Sequence, residues 1–321
     1  MKFKILNLEP TDYSPEARRI IEARADLQDG PITRTSLKKN IGDYHGIIVR
    51  LGHKIDKDLL EHAKQLKVIV SATTGLNHID IEGANSRGIT TLSLKGEADF
   101  LRTVTATAEH TIGLMLSLIR HTPHAYNSVM DGTWDRNLFK GQDLFGKTLG
   151  IIGYGRLGKL VAKYATAFGM TVIAYDTKDI PHDETVESTS LNAVLSRSDI
   201  ITLHASYSPE NEQFINKSCF EKMKEGAVFI NTARGEIIDE QALLEALKTK
   251  HLSGAALDVI SNEQALLNVP ISDNSLYKYA RKYNNLILTP HIGGATYDSM
   301  YKTEIFMAHK LIEFFGKTTI S

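Results

Sequence analysis

Residues 149–176 read LGIIGYGRLGKLVAKYATAFGMTVIAYD, and the rest of the chain is arranged around them. The apolar run 149–152 has the length of a short buried strand. It ends in Gly153-Tyr154-Gly155-Arg156-Leu157-Gly158, after which Leu157, Val161, Tyr164, Ala165 and Phe168 recur at helical spacing. Gly169 closes that helix, residues 170–175 read as a second buried strand, and Asp176 follows, 18 residues beyond Gly158. Strand, glycine turn, helix, strand and acid is the order that a dinucleotide site requires. Gly153 permits the tight turn, Gly155 lets the backbone approach a pyrophosphate, and Gly158 lets the helix pack closely on the strand. The helix N-terminus then faces the phosphates. A carboxylate at Asp176 binds both ribose hydroxyls and repels a 2′-phosphate, so NAD is expected rather than NADP. A bare GxGxxG is weak; the complete βαβ context carries the reading.

The chain of 321 residues is long enough for two domains of ordinary size. Its 42% hydrophobic and 23% charged content describes a soluble globular protein. A formal net charge of −1 argues against general attraction to nucleic acid or to an anionic membrane. No apolar run approaches the roughly 18 residues that would span a bilayer. The start, MKFKILNLEP, has too short an apolar core for a signal peptide and reads as a first strand. The lone cysteine, Cys219, in a helical KSCFEKM, excludes an intramolecular disulfide and fits a cytoplasmic protein.

Along the chain, strands are expected at residues 4–8, 45–49, 68–71 and 89–94, with amphipathic helices at 14–24 and 57–65 between them. This alternation implies an α/β, doubly wound parallel sheet. The segment lacks a glycine fingerprint and so is not the nucleotide domain. A long helical pattern covers 103–130, kinked or divided by Pro123. After residue 176, strands are expected at 200–203, 227–231, 255–259 and 286–288, giving six parallel strands in the second sheet. A final helix, 297–315, returns to the first domain. The expected architecture is therefore a Rossmann NAD-binding domain, residues 102–288, inserted into a flavodoxin-like substrate domain, residues 1–101 and 289–321. The cleft between them is the default active site.

Three charged residues stand where strands of the second sheet end: Arg234 in NTARGEIID, Glu263 in ALDVISNE and His291 in LTPHIGG. Ligands of open α/β sheets bind beyond these carboxyl ends. Arg234 suits bidentate pairing with a substrate carboxylate and polarises the adjacent carbonyl. His291 gives that carbonyl a proton as hydride arrives and takes it back in the oxidative direction. Glu263 fixes the imidazole's tautomer and stabilises its protonated form. Taken alone, each has a plainer use, as a surface ion pair, a loop histidine or a solvated carboxylate. The combination behind a complete fingerprint favours chemistry.

The sequence also resembles the D-isomer-specific 2-hydroxyacid dehydrogenases, the family of phosphoglycerate dehydrogenase, glycerate (hydroxypyruvate) reductase and D-lactate dehydrogenase. The resemblance covers essentially the whole chain. It rests on TTGLNHID (73–80), TAEHTIGLML (107–116), GTWDR (132–136), LFGKTLGIIGYGRLG (144–158), MKEGAVFINTARGEIIDEQALLEAL (223–247), GAALDV (254–259) and LTPHIGGAT (288–296). It implies the same Arg234, Glu263 and His291 triad. It also implies cofactor contacts from Thr107, Arg156, Leu157, Asp176, His204, Thr232, Ala233, Arg234, Asp258 and Gly294. Backbone amides at Thr74, Gly75 and Leu76 are implied to hold the substrate carboxylate beside Arg234. A homodimer joined through the nucleotide domains, with the 103–130 helix taking part, is implied too. No metal is called for, and no regulatory domain follows residue 321.

Departures from the family pattern bear on substrate choice. Ser206 stands where proline is common, Ser261-Asn262-Glu263-Gln264 where Glu-x-Glu-Pro is common, and Asn77 where aspartate is frequent. Residues 92–102 (LSLKGEADFLR) look longer than usual and bring Lys95 and Arg102, on either a solvated loop or an anion contact. Arg50, in VRLGHKI, occupies the arginine of the phosphoglycerate dehydrogenase pattern, so 3-phosphoglycerate or another anionic hydroxy acid is preferred over lactate. An NAD-sensing, corepressor-like binding protein on the same fold is the alternative; the intact triad counts against it.

Overall fold

A computed structural model describes residues 2–30, 33–267 and 269–317. The chain divides into two compact units, Met1–Val104 with Thr296–Ser321, and Thr105–Ala295.

The first unit carries β1 (Phe3–Asn7), β2 (Ala25–Asp29), β3 (Gly46–Val49), β4 (Val68–Ser71) and β5 (Thr90–Ser93). All pair in parallel, in the order β2-β1-β3-β4-β5, which is the flavodoxin-like order. β3 and β4 are buried at every position, as expected of central parallel strands covered on both faces. One face packs on the helices Pro15–Glu22 and Tyr297–Lys317, with Phe3 stacked on Phe315 at 4.1 Å between ring centroids. The other face is closed by Leu37, Ile41, Leu59, Leu60 and Ala84. The 92–102 segment forms a short helix, Ala98–Leu101, docked on the last helix. Phe100 stacks on Phe306 at 4.0 Å, and Lys310 bonds Glu97 at 2.5 Å.

The second unit carries β6 (Thr148–Ile152), β7 (Thr171–Tyr175), β8 (Val186–Ser188), β9 (Ile200–Leu203), β10 (Ala227–Asn231), β11 (Leu252–Leu257) and β12 (Leu286–Leu288). They form one parallel sheet, β12-β11-β10-β9-β6-β7-β8, a dinucleotide-binding order with one strand beyond the six expected. β8 and β2 escape a reading of hydrophobic runs for the same reason. Both are edge strands with patterns Bee and BeBee, so polar residues occupy their solvent side.

The helical pattern at 103–130, expected to be kinked or divided by Pro123, is divided into two helices, Ala106–Ile119 and Thr122–Met130, separated at His121, whose φ is +55°. Pro123 sits in the first turn of the second helix, where a missing N–H costs nothing. That second helix buries none of its residues. It and the segment after it expose Tyr126, Met130, Trp134, Leu138 and Phe145.

The crossing into the last helix falls at residue 295/296 rather than 288/289. His291, Ile292 and Gly293 are all hydrogen-bonded to Asp258 and so stay with the second unit.

Gly158 tests the closeness of helix and sheet. A Cβ there would lie 2.3 Å from the carbonyl oxygen of Gly153. Gly158→Ala is expected to destabilise the second unit by about 1–3 kcal/mol, read by urea denaturation without ligand.

Candidate active site

The glycine turn is built by close backbone approach. Gly153 has φ +96° and donates to the Tyr175 carbonyl at 2.8 Å; a Cβ on it would lie 2.7 Å from Ala205 N. No L side chain fits either demand. Gly155, by contrast, faces open space, and the helix Arg156–Ala167 that it precedes has no side-chain cap. A helix start without a side-chain cap suits an anion. Asp176 holds the turn to the end of β7: Oδ2 accepts from Tyr154 N (2.7 Å) and Oδ1 from Lys178 N (2.9 Å). The buried Tyr154 hydroxyl donates to Asp183 (2.9 Å); burial and that carboxylate together raise the phenol above its ordinary range. Arg156 and Leu157 open the helix, both partly buried.

His204 follows β9. Its Nε2 meets Thr202 Oγ1 at 3.0 Å, while its Nδ1 is enclosed with no hydrogen-bond partner. Burial pushes the imidazole down to about 4. An enclosed polar atom without a partner, an open face at Gly155 and an uncapped helix N-terminus all fit a bound dinucleotide.

The carboxyl ends of β10, β11 and β12 converge on Asp258, which is 1% exposed. Its Oδ1 accepts from Thr289 Oγ1 (2.5 Å), Ile292 N (2.9 Å) and His110 Nε2 (3.2 Å), and its Oδ2 from Gly293 N (2.7 Å). Burial alone would raise this carboxyl, but the four donors outweigh it and hold it below its ordinary value. The Asp258 carbonyl also receives His291 N–H at 2.8 Å. The loop after β12 is thus wound around one carboxylate, and His291 takes φ +53°, a left-handed conformation that histidine rarely adopts. Its Nδ1 is delivered to Glu263 Oε1 at 2.5 Å, leaving Nε2 for a ligand.

Glu263 is placed from the other side. A Cβ on Gly235 would lie 2.0 Å from Ile260 C, so the Arg234 loop lies directly against the loop that carries Glu263. Ser261 N–H donates to Glu240 Oε1 at 2.6 Å; burial raises that carboxyl despite the bond. Asn231 shapes the Arg234 turn, its amide donating to the Arg234 carbonyl (3.0 Å) and its Oδ1 accepting from Ala233 N (2.9 Å). The Arg234 guanidinium bonds the Ala233 carbonyl at 2.6 Å. Thr232 is buried and shares a hydrogen bond with Thr111 (2.9 Å), which in turn donates to the Thr107 carbonyl (2.8 Å).

His110, Thr111, Thr289, Gly235 and Glu240 were not singled out from the sequence. Thr107, His110 and Thr111 are spaced 0, 3 and 4 on one helix face, which is the signal that finds them. Gly293, with a Cβ position 2.9 Å from Asp258 Oδ2, is the constrained glycine of the last loop, and Gly294 faces open space.

In the first unit, Thr74, Gly75 and Leu76 follow β4. Thr73 Oγ1 donates to the Gly75 carbonyl (2.8 Å) and shares a bond with Ser71 Oγ (2.8 Å), which meets the buried His78 at 3.3 Å. Arg50, at the end of β3, is paired with Glu304 at 3.0 Å. Arg102 is exposed and lies 3.4 Å from Asp99.

Residues 112–293 match the model of the D-isomer specific 2-hydroxyacid dehydrogenase NAD binding domain. The chain belongs to the D-isomer specific 2-hydroxyacid dehydrogenase family. It is 34% identical to a hydroxypyruvate reductase of Thermotoga maritima, over 98% of this chain and 99% of that one. It is 37% identical to a D-3-phosphoglycerate dehydrogenase of Methanocaldococcus jannaschii over 96% of its own length, but spans only 56% of that relative. Among solved structures it resembles the TT0316 protein of Thermus thermophilus (TM-score 0.85, 31% identity, 98% and 97% of the two chains). It also resembles the D-lactate dehydrogenase of Aquifex aeolicus complexed with NAD and lactic acid (TM-score 0.81, 27% identity, 98% and 95%). The second unit is thus the family's NAD-binding domain.

His204 makes a stability prediction with a definite sign. Its folded value of about 4 lies below the ordinary 6.5. Above 6.5 neither state is protonated; between 6.5 and 4 only the unfolded chain binds the proton, so stability falls as pH falls through that window. The loss is up to about 3 kcal/mol. Urea titrations at pH 7.5 and pH 5 should show a smaller acid loss for His204→Gln than for the parent chain.

Proposed function

We propose that this chain is an NAD-dependent D-2-hydroxyacid dehydrogenase that moves hydride between NAD(H) and C2 of a small 2-hydroxy or 2-oxo acid. The observation that carries this reading is the 2.5 Å bond between His291 Nδ1 and Glu263, at the carboxyl end of the same parallel sheet as the dinucleotide turn. NAD, when bound, supplies or receives the hydride.

The protein's own residues do the rest. Arg234 binds the substrate carboxylate through its two-pronged guanidinium and draws charge toward the C2 oxygen. His291 gives that oxygen a proton from Nε2 in reduction and withdraws it in oxidation. Glu263, bonded to Nδ1, holds the ring's tautomer and stabilises the imidazolium. The amides of Thr74 to Leu76 assist in holding the carboxylate. Gly153, Gly155, Gly158, Arg156, Leu157 and Asp176 hold the dinucleotide's diphosphate and ribose, with Thr107, His204, Thr232, Ala233 and Gly294 lining its remaining length. Asp258 serves the site by shaping the loop of His291.

The exposed apolar side chains of the helix Thr122–Met130 and of Trp134, Leu138 and Phe145 support a homodimer through the NAD-binding units. The lone Cys219 supports a cytoplasmic location. Among the described residues, no helix is long and apolar enough to cross a membrane.

The test is NADH oxidation with a panel of 2-oxo acids. His291→Asn should lower kcat by about 10²–10⁴-fold. Arg234→Lys keeps the charge but loses the fork, and should lower kcat/KM by about 100-fold or more. Near-normal turnover in either variant would remove that residue from its role.

A further inference from the structure

Tyr154 is the second residue of the glycine turn, and its ring is buried. It belongs to the same apolar cluster as Val161 and Ala165 of the helix Arg156–Ala167 and as Val172 and Val186 of β7 and β8. Its backbone and its hydroxyl make two separate bonds. The N–H donates to Asp176 Oδ2 at 2.7 Å, and the hydroxyl donates to Asp183 Oδ2 at 2.9 Å. Asp176 opens the loop between β7 and β8, and Asp183 stands near its end, before β8 begins at Val186. One residue thus holds both ends of that loop.

The far end is built to receive the hydroxyl. Asp183 Oδ1 accepts from Thr185 N (2.9 Å) and from Thr185 Oγ1 (2.7 Å), which fixes the carboxylate and leaves Oδ2 for Tyr154. Thr185 first, and Tyr154 after it, hold this carboxyl below its ordinary range, so it accepts as a charged group. Midway along the loop, Ile180 packs against the cluster that contains Tyr154, while Thr177, Lys178, Asp179, Pro181 and His182 are exposed. Without the hydroxyl, the loop keeps its anchors at Asp176 and Ile180 but loses the tie of its far end to the glycine turn.

We infer that the Tyr154–Asp183 bond is a latch that presets the 177–182 loop for the adenosine half of NAD, with Tyr154 as a positioning residue for the cofactor. The inference rests on the dinucleotide part of the reading above and not on its hydride step. The acid that ends the second strand of a dinucleotide fold binds ribose, so the loop that starts at Asp176 runs beside that ribose. A ligand that meets a loop already in place avoids the cost of ordering it. A loop that holds the competent state only part of the time weakens binding by that fraction. Phenylalanine at 154 would fill the same buried space, so the hydroxyl adds nothing but the bond to Asp183. The latch therefore acts on cofactor affinity, through the half of the molecule that touches the loop.

The experiment measures dissociation constants of the full chain for three ligands: NADH, ADP-ribose, which lacks the nicotinamide, and reduced nicotinamide mononucleotide, which lacks the adenosine. Tyr154→Phe should weaken NADH and ADP-ribose by about 3–10-fold and leave the mononucleotide within about twofold. Asp183→Ala, at an exposed position, removes the same bond from the other side without touching the core and should weaken the same two ligands comparably. The double variant should bind no more weakly than the weaker single one, the mark of one shared interaction. Equal weakening of all three ligands would make the hydroxyl a general prop of the fold and overturn the inference. Unchanged affinity for ADP-ribose in both single variants also overturns it, with NAD binding by the parent chain intact. A parent chain that binds neither NADH nor ADP-ribose overturns the dinucleotide reading and this inference with it.

Discussion

The loops at the carboxyl end of the second sheet depend on one buried carboxylate. Asp258 collects four donors, from Thr289, His110, Ile292 and Gly293. A charge so deeply enclosed is tolerated only because each oxygen is satisfied. The consequence is geometric. A loop that bonds twice to the same carboxylate through successive amides must turn sharply, and His291 absorbs the turn in a left-handed conformation. That strain is held by the surrounding bonds and directs the imidazole to Glu263. Removing the carboxylate would release the loop, and the His291–Glu263 bond would lose its alignment without any change in its own residues.

The same logic of close contact operates where glycine is required. Gly153, Gly158 and Gly235 each stand where a Cβ would fall 2.0–2.7 Å from backbone atoms of another segment. The first two weld the dinucleotide turn to β9 and to its helix. The third presses the Arg234 loop against the segment leading to Glu263, so that two side chains with unlike roles share a backbone support. Glu240, bonded to Ser261, steadies that segment where Ser261 stands in place of the first glutamate of the Glu-x-Glu-Pro pattern. The departure in sequence thus leaves the carboxylate of Glu263 anchored.

In the first unit a buried charge pair ties the end of β3 to the last helix. Arg50 is paired with a carboxylate that solvent does not reach. Its place in VRLGHKI shows an arginine after a strand but not the partner it takes within the fold. The Glu304 that answers it lies 254 positions away.

Much of this protein was legible in its sequence because the signals are local. The glycine turn, its helix and Asp176 lie within 28 consecutive residues, and the central strands announce themselves as unbroken apolar runs. Arg234, Glu263 and His291 were readable because each ends or closely follows such a run. What stayed hidden was decided by partners far apart in the chain. The edge strands Ala25–Asp29 and Val186–Ser188 are polar on their open side and exist through pairing with a neighbour. The hub role of Asp258, with His110 148 positions earlier, requires the sheet to be assembled first. The pairing of Arg50 with Glu304 is likewise tertiary. A sequence determines which backbone states and faces are available, but a buried charge chooses its partner only when folding has removed water from both.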